Sequence, residues 1–192
     1  MPKIFICLER NLSLPLHYGT YISDKNQIQF RYPSSWNLEE TPCTDDNPRT
    51  YIDITNNDAS SGISVIYGNR LMSCFGSSIF RTALHECFHR FVGYNRHRRI
   101  GTRNQVKVIV EPSLVTIGGQ DSAGSFVIKA KKNRNDTKPK MVQVWFVYVG
   151  ARRYEIGDIG ERGYEIAFYS DSFYEPMNID IRDQLINSIR FQ

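Results

Sequence analysis

The chain has 192 residues, of which 41% are hydrophobic and 23% charged; this ordinary globular composition excludes disorder and collagen-like repeats, and the length suits one domain. Twenty-four Lys and Arg against 20 Asp and Glu leave a net charge of +4 and a pI of about 8.9, short of the concentrated basic character of a dedicated nucleic-acid binder. No apolar run reaches the ~18 residues of a membrane helix, and the four cysteines, Cys7, Cys43, Cys74 and Cys87, form no CxxC pair, so neither a zinc ribbon nor a disulfide scaffold is indicated.

Residues 1–17 show no period and read as a loosely attached leader to a single domain over 18–192. After Lys3 only Ile4 to Leu8 are apolar, too few for a secretory core, and no small-residue cleavage site follows. As written, the chain is expected to stay in the cytoplasm; export requires a start that was trimmed or misassigned. Strand patterning begins at Gly19. Tyr21-Ile22 and Ile28 to Tyr32 flank the turn-forming Ser23-Asp24-Lys25-Asn26, which predicts a hairpin ended by Pro33, with Trp36 in the following turn. Residues 41–50 are a polar loop. Tyr51 to Ile54 and Ile63 to Tyr67 are further strands, separated by Asn56 to Gly62.

The spacing of Ile79, Phe80, Ala83, Leu84, Cys87, Phe88, Phe91 and Val92 predicts a long helix with one broad apolar stripe. Ser77 or Ser78 caps its start and Gly93 ends it. Cys87 on that stripe reads as a small buried hydrophobe. Strands follow at Val106 to Val110, Leu114 to Ile117, Ser125 to Ala130, Met141 to Val149 and Tyr164 to Tyr169. Ile181, Leu185, Ile186 and Ile189 make a second amphipathic helix. Strands without crossover helices between them pair mostly antiparallel, so the fold class is α+β. In the strand at 141–149, Met141, Trp145, Val147 and Val149 face one way, and Val142, Val144, Phe146 and Tyr148 face the other. Both faces are apolar and need cover. Two helices can supply it, giving an α/β/α sandwich around a mostly antiparallel central sheet, with Trp36 and Trp145 largely buried.

His85-Glu86-Cys87-Phe88-His89 matches HExxH. On a helix the two imidazoles share a face, so His85 and His89 could hold Zn²⁺ while Glu86 acts as general base. Against a catalytic site, both histidines fall opposite the apolar stripe, and no third ligand stands where known classes place one: Val92 and Asn95 replace the Gly and His of the extended motif. Glu111 is at a workable distance in sequence but follows a strand, just before Pro112. Gly118-Gly119 is a strand-end turn, and no P-loop or GxSxG elbow occurs. Asp45, Asp46, Asn47, Asp53, Asn56, Asn57 and Asp58 offer oxygens for Ca²⁺ without EF-hand spacing, and read as solvated turns. Two basic segments, with Arg96, Arg98 and Arg99 in one and Lys131, Lys132 and Arg134 in the other, could meet an acidic partner, nucleic acid or an anionic membrane surface. Only Tyr94 is near for base stacking, so single-strand recognition has no support.

Phe30-Arg31-Tyr32-Pro33-Ser34-Ser35-Trp36 resembles the opening of the PsbP family, the extrinsic photosystem proteins and their relatives outside photosynthesis. Ile63 to Tyr67 is similar to the family's second strand. Glu111 to Ala123, with Thr116-Ile117-Gly118-Gly119-Gln120, is similar to its glycine-containing stretch. Tyr164 to Tyr169 and Ile186-Asn187-Ser188-Ile189-Arg190-Phe191 resemble its final strand and closing helix. The likeness runs over residues 18–192 and implies an α/β/α sandwich with no catalysis: relatives bind and stabilise assemblies, and a structural cousin binds a small GTPase. No metal-holding motif of the photosystem member aligns here, so its handling of Ca²⁺, Mn²⁺ or chloride is not carried over, and no cofactor is expected. The expectation is a non-catalytic binding or scaffold domain for an unidentified protein partner. The alternative is a small zinc metallopeptidase using the motif at 85–89.

Overall fold

The computed structural model describes residues 16–44, 49–67, 88, 106–130, 140–149 and 162–192. The expected hairpin is present. β1 (Tyr18–Ser23) pairs antiparallel with β2 (Ile28–Pro33), Tyr21 opposite Phe30. Period-2 alternation sorts β2: Ile28 and Phe30 are fully buried, while Gln29 and Arg31 face outward. The turn closes with Asn26 N–H donating to Ser23 Oγ at 3.1 Å. Pro33 ends β2, and its carbonyl accepts from Trp36 N–H at 3.0 Å.

Among the described residues a seven-stranded sheet runs in the order β3 (Asn37–Thr41), β4 (Thr50–Thr55), β5 (Ser61–Tyr67), β9 (Arg162–Ser170), β8 (Lys140–Val149), β7 (Gln120–Ala130), β6 (Lys107–Ile117). Every pairing is antiparallel. Two meanders, β3 to β5 and β6 to β9, join where Ile63 lies opposite Phe168 and Val65 opposite Ile166. The chain ends in helix α1 (Pro176–Ser188) and β10 (Arg190–Phe191), which pairs with β2 to complete a small sheet in the order β1-β2-β10. Pro176 starts the helix where its missing N–H costs nothing.

The two faces of the large sheet are covered differently. One face, with Ile52, Ile54, Ile63, Val65, Trp145, Val147, Tyr164, Ile166 and Phe168, shares a single core with Ile181, Leu185 and Ile189 of the C-terminal segment and with Tyr21, Ile28 and Phe30 of the small sheet. Each large apolar side chain buried here contributes about 1.5–3 kcal/mol. The cover on this face is thus a helix and a sheet together, where the periodicity predicts a helix alone. On the other face Phe126 and Phe146 pack at a centroid distance of 5.8 Å, and Phe88 meets Phe126 at 5.0 Å. Phe88 is helical and 5% exposed. The rest of the predicted helix at 78–92 lies outside the described residues.

Three local expectations are corrected. β3 is a strand that patterning missed, because Leu38 is its only apolar residue and it sits at the sheet edge. β6 is one continuous strand, not two pieces around Glu111-Pro112. It bulges between Val110 and Ser113, and an edge strand tolerates proline because one row of its N–H groups has no ladder partner. β10 was not foreseen. Trp36 is partly buried against the core and Trp145 is 4% exposed, in line with the expectation that both are largely buried.

Candidate functional site

The HExxH motif enters the structure only through Phe88, whose ring packs on the sheet. His85, Glu86 and His89 lie outside the described residues, as do Arg96, Arg98, Arg99, Lys131, Lys132 and Arg134. Among the described residues no three His, Cys, Asp or Glu side chains gather as a metal site. Glu111 is exposed on the bulged edge strand β6.

The oxygen-rich stretch at 56–58 is a hairpin turn. Asn56 Oδ1 accepts from Ser61 N–H at 3.0 Å, and Asn56 Nδ2 donates to Ser60 Oγ at 2.9 Å. Asp58 Oδ1 accepts from Ser60 N–H at 2.9 Å. That backbone donor, helped by the Ser60 hydroxyl, holds the Asp58 carboxyl below its usual range. The turn itself engages Asn56 Oδ1 and Asp58 Oδ1. Asp53 sits on β4 opposite Glu39 and Ser64, and Asp45 to Asn47 lie outside the described residues. Gly118 and Gly119 form the two-residue turn between β6 and β7, with φ of +57° and +81°. Both angles positive is the geometry of a tight hairpin. A Cβ on Gly118 would stand 2.9 Å from the Phe191 ring, so this glycine also lets the C-terminus pack close.

A polar linkage ties the small sheet to the large one. The Tyr164 hydroxyl donates to the Asn26 carbonyl at 2.8 Å, and the Tyr21 hydroxyl donates to Glu40 Oε2 at 2.9 Å. Asn26 Nδ2 donates to the Tyr21 oxygen at 3.2 Å and to Glu40 Oε1 at 3.3 Å. Burial pushes the Tyr21 phenol up. These bonds fix the angle at which β1 and β2 lie over the core.

The outer face of the small sheet borders a polar groove of about 330 Å³ beside the end of α1. Its lining includes Thr20, Gln29, Arg31, Gln184, Asn187 and Arg190. Register brings them together: Thr20 is opposite Arg31, and Gln29 is opposite Arg190. The Arg31 guanidinium lies 5.3 Å from the centre of the Tyr18 ring, and the Tyr18 hydroxyl donates to Asp180 Oδ2 at 2.7 Å. Burial and the Asp180 carboxylate together raise the Tyr18 phenol well above its ordinary value. Arg190 Nη1 donates to the carbonyls of Asn187 at 3.0 Å and Ile189 at 2.6 Å, closing the end of α1. Sequence reasoning missed this groove. The outward polar alternation of β2 was its one visible signal.

No family model matches the chain, and no curated protein sequence matches it. Solved structures do match in fold, among them the following three. Cyanobacterial PsbP (CyanoP) from Synechocystis sp. PCC 6803 is 11% identical, covering 95% of this chain and 96% of its own, at a TM-score of 0.54. LpqN of Mycobacterium tuberculosis, involved in cell envelope biogenesis, is 15% identical, covering 86% and 83%, at 0.52. The Saccharomyces cerevisiae Ran-binding protein Mog1p is 8% identical, covering 92% and 96%, at 0.52. No helix among the described residues is long and apolar enough to cross a membrane. The resemblance carried by Phe30 to Trp36 and the later segments holds at the level of architecture, and the chain has the PsbP-like fold.

Proposed function

We propose that the chain is a non-catalytic binding or scaffold domain that stabilises or recruits a protein partner. One observation carries this reading. The match to Mog1p, a Ran-binding protein, takes in 92% of this chain and 96% of that one, so the two share nearly their whole length. One fold hosts many roles, and the three matched proteins are named for different ones, so the partner is specific to this chain. We assign no resident metal or cofactor. A second reading rests on His85-Glu86-Cys87-Phe88-His89: a zinc peptidase, with Glu86 as base and His85 and His89 as ligands.

Affinity capture with the full chain in extract of its native organism, followed by mass spectrometry and reconstitution from purified components, tests the proposal. We expect one protein to bind the purified chain saturably and without being cleaved. No reconstituted partner, together with chelator-sensitive cleavage of a protein substrate, overturns it in favour of the peptidase.

A further inference from the structure

We propose that the groove between the outer face of the small sheet and the end of α1 seats an acidic peptide segment of the partner, with Arg31 and Arg190 taking its carboxylates. This deepens the binding reading above and rests on it.

The first support is placement. Arg190 is opposite Gln29, and Arg31 is two residues further along β2 on the same face. Diagonal neighbours of this kind stand roughly 7–8 Å apart at the backbone. Two cations are thus held side by side over a lining of amides and hydroxyls. The second support is charge. The ion pairs among the described residues join Lys140 to Asp171 and Arg182 to Asp183. Neither Arg31 nor Arg190 takes part in one. Of the two acidic residues of α1, Asp180, one turn before Gln184, is engaged by the Tyr18 hydroxyl, and Asp183 by Arg182. The repulsion between the two guanidinium groups is relieved by an anion placed between them.

The third support is preorganisation. Stacking on Tyr18 orders Arg31, and two carbonyls anchor one nitrogen of Arg190, leaving its other donors available. A guanidinium already held in position loses less freedom when it binds, and its planar fork fits a carboxylate through two parallel bonds. The lining also favours polypeptide over nucleic acid. Gln29, Gln184 and Asn187 can both donate to and accept from a peptide backbone. No aromatic ring lines the groove for base stacking.

The test is a titration of the ¹⁵N-labelled full chain with a short synthetic Glu/Gly peptide, with the Gln/Gly analogue and a short single-stranded DNA as controls. We expect amide shifts centred on Gln29, Arg31, Gln184 and Asn187, weaker binding at higher salt, and no response to the Gln/Gly peptide. Arg31→Glu should reduce affinity about 10- to 100-fold, the range of a lost charge-assisted bond. Gln184→Glu, an exchange on the surface of α1, should weaken binding in the same direction and guards against a folding defect in the first variant. Shifts centred elsewhere, an equal response to the Gln/Gly peptide, or tighter binding of the DNA at these residues would overturn the proposal. A reconstituted partner that binds wild type and Arg31→Glu equally would also overturn this groove while leaving the binding reading intact. Failure of that reading shows itself differently, as no partner at all together with chelator-sensitive cleavage.

Discussion

Phe88 stands edge-on to Phe126, with ring centroids 5.0 Å apart and planes at 76°. The pair seats Phe88, the one described residue of the HExxH motif, on the far face of the sheet. Edge-on packing adds about 0.5–1.5 kcal/mol to the burial itself. Phe88→Ala should therefore cost about 3–5 kcal/mol in a denaturant titration. A loss under about 1 kcal/mol would mean that this ring is not part of the core.

The two tryptophans should separate in the same assay. Trp145 is 4% exposed on β8 and lies opposite Ile166, so Trp145→Ala should cost about 3–5 kcal/mol. Trp36 packs half-buried at the turn into β3. Its removal should cost less than half as much as that of Trp145. Equal losses would contradict the central position of β8.

Glycine and alanine should exchange with opposite signs in the β4–β5 hairpin. Gly62 lies beneath the Tyr169 phenol, and a Cβ there would also stand 2.9 Å from the Ile54 carbonyl. Gly62→Ala should therefore lower stability by about 1–3 kcal/mol, as overpacking does. Ala59 has φ of +54°, a left-handed conformation that disfavours any Cβ. Ala59→Gly should raise stability by about 0.5–1 kcal/mol. Thermal melts of the two variants should move in opposite directions.

The same hairpin has a signed pH dependence. Ser60 N–H holds the Asp58 carboxyl below its ordinary value of about 3.9. A carboxyl with a lowered folded value stabilises the fold fully above the unfolded value, and that contribution fades as pH falls through the folded one. Titration of the Asp58 side chain by NMR should give a midpoint below that of a free aspartate. A midpoint at or above it would contradict the turn geometry.

The architecture was legible wherever a periodic apolar pattern is also a packed face. The β1–β2 hairpin, the strand at 141–149 with its two apolar faces, and the helix carrying Ile181 and Leu185 were read correctly because each pattern matches the element it forms, although Ile189, read as part of that helix, is its extended cap. β10 was not legible, because the strand character of Arg190-Phe191 comes from its pairing with Gln29 and Ile28. Leu38 alone could not announce β3. Pro112 suggested an ending where the edge of the sheet needs only a bulge. The groove was hidden for a related reason. Arg31 and Arg190 are far apart in sequence and meet only through the register of β2 with β10, a long-range fact that no local pattern carries.

The metal content of protein purified without a histidine tag decides most directly between a binding domain and a zinc peptidase. The residues at issue are His85, Glu86 and His89, and structural or catalytic zinc at such a site would survive purification at near-unit occupancy. We expect traces only by elemental analysis. Near-stoichiometric zinc would contradict the non-catalytic reading.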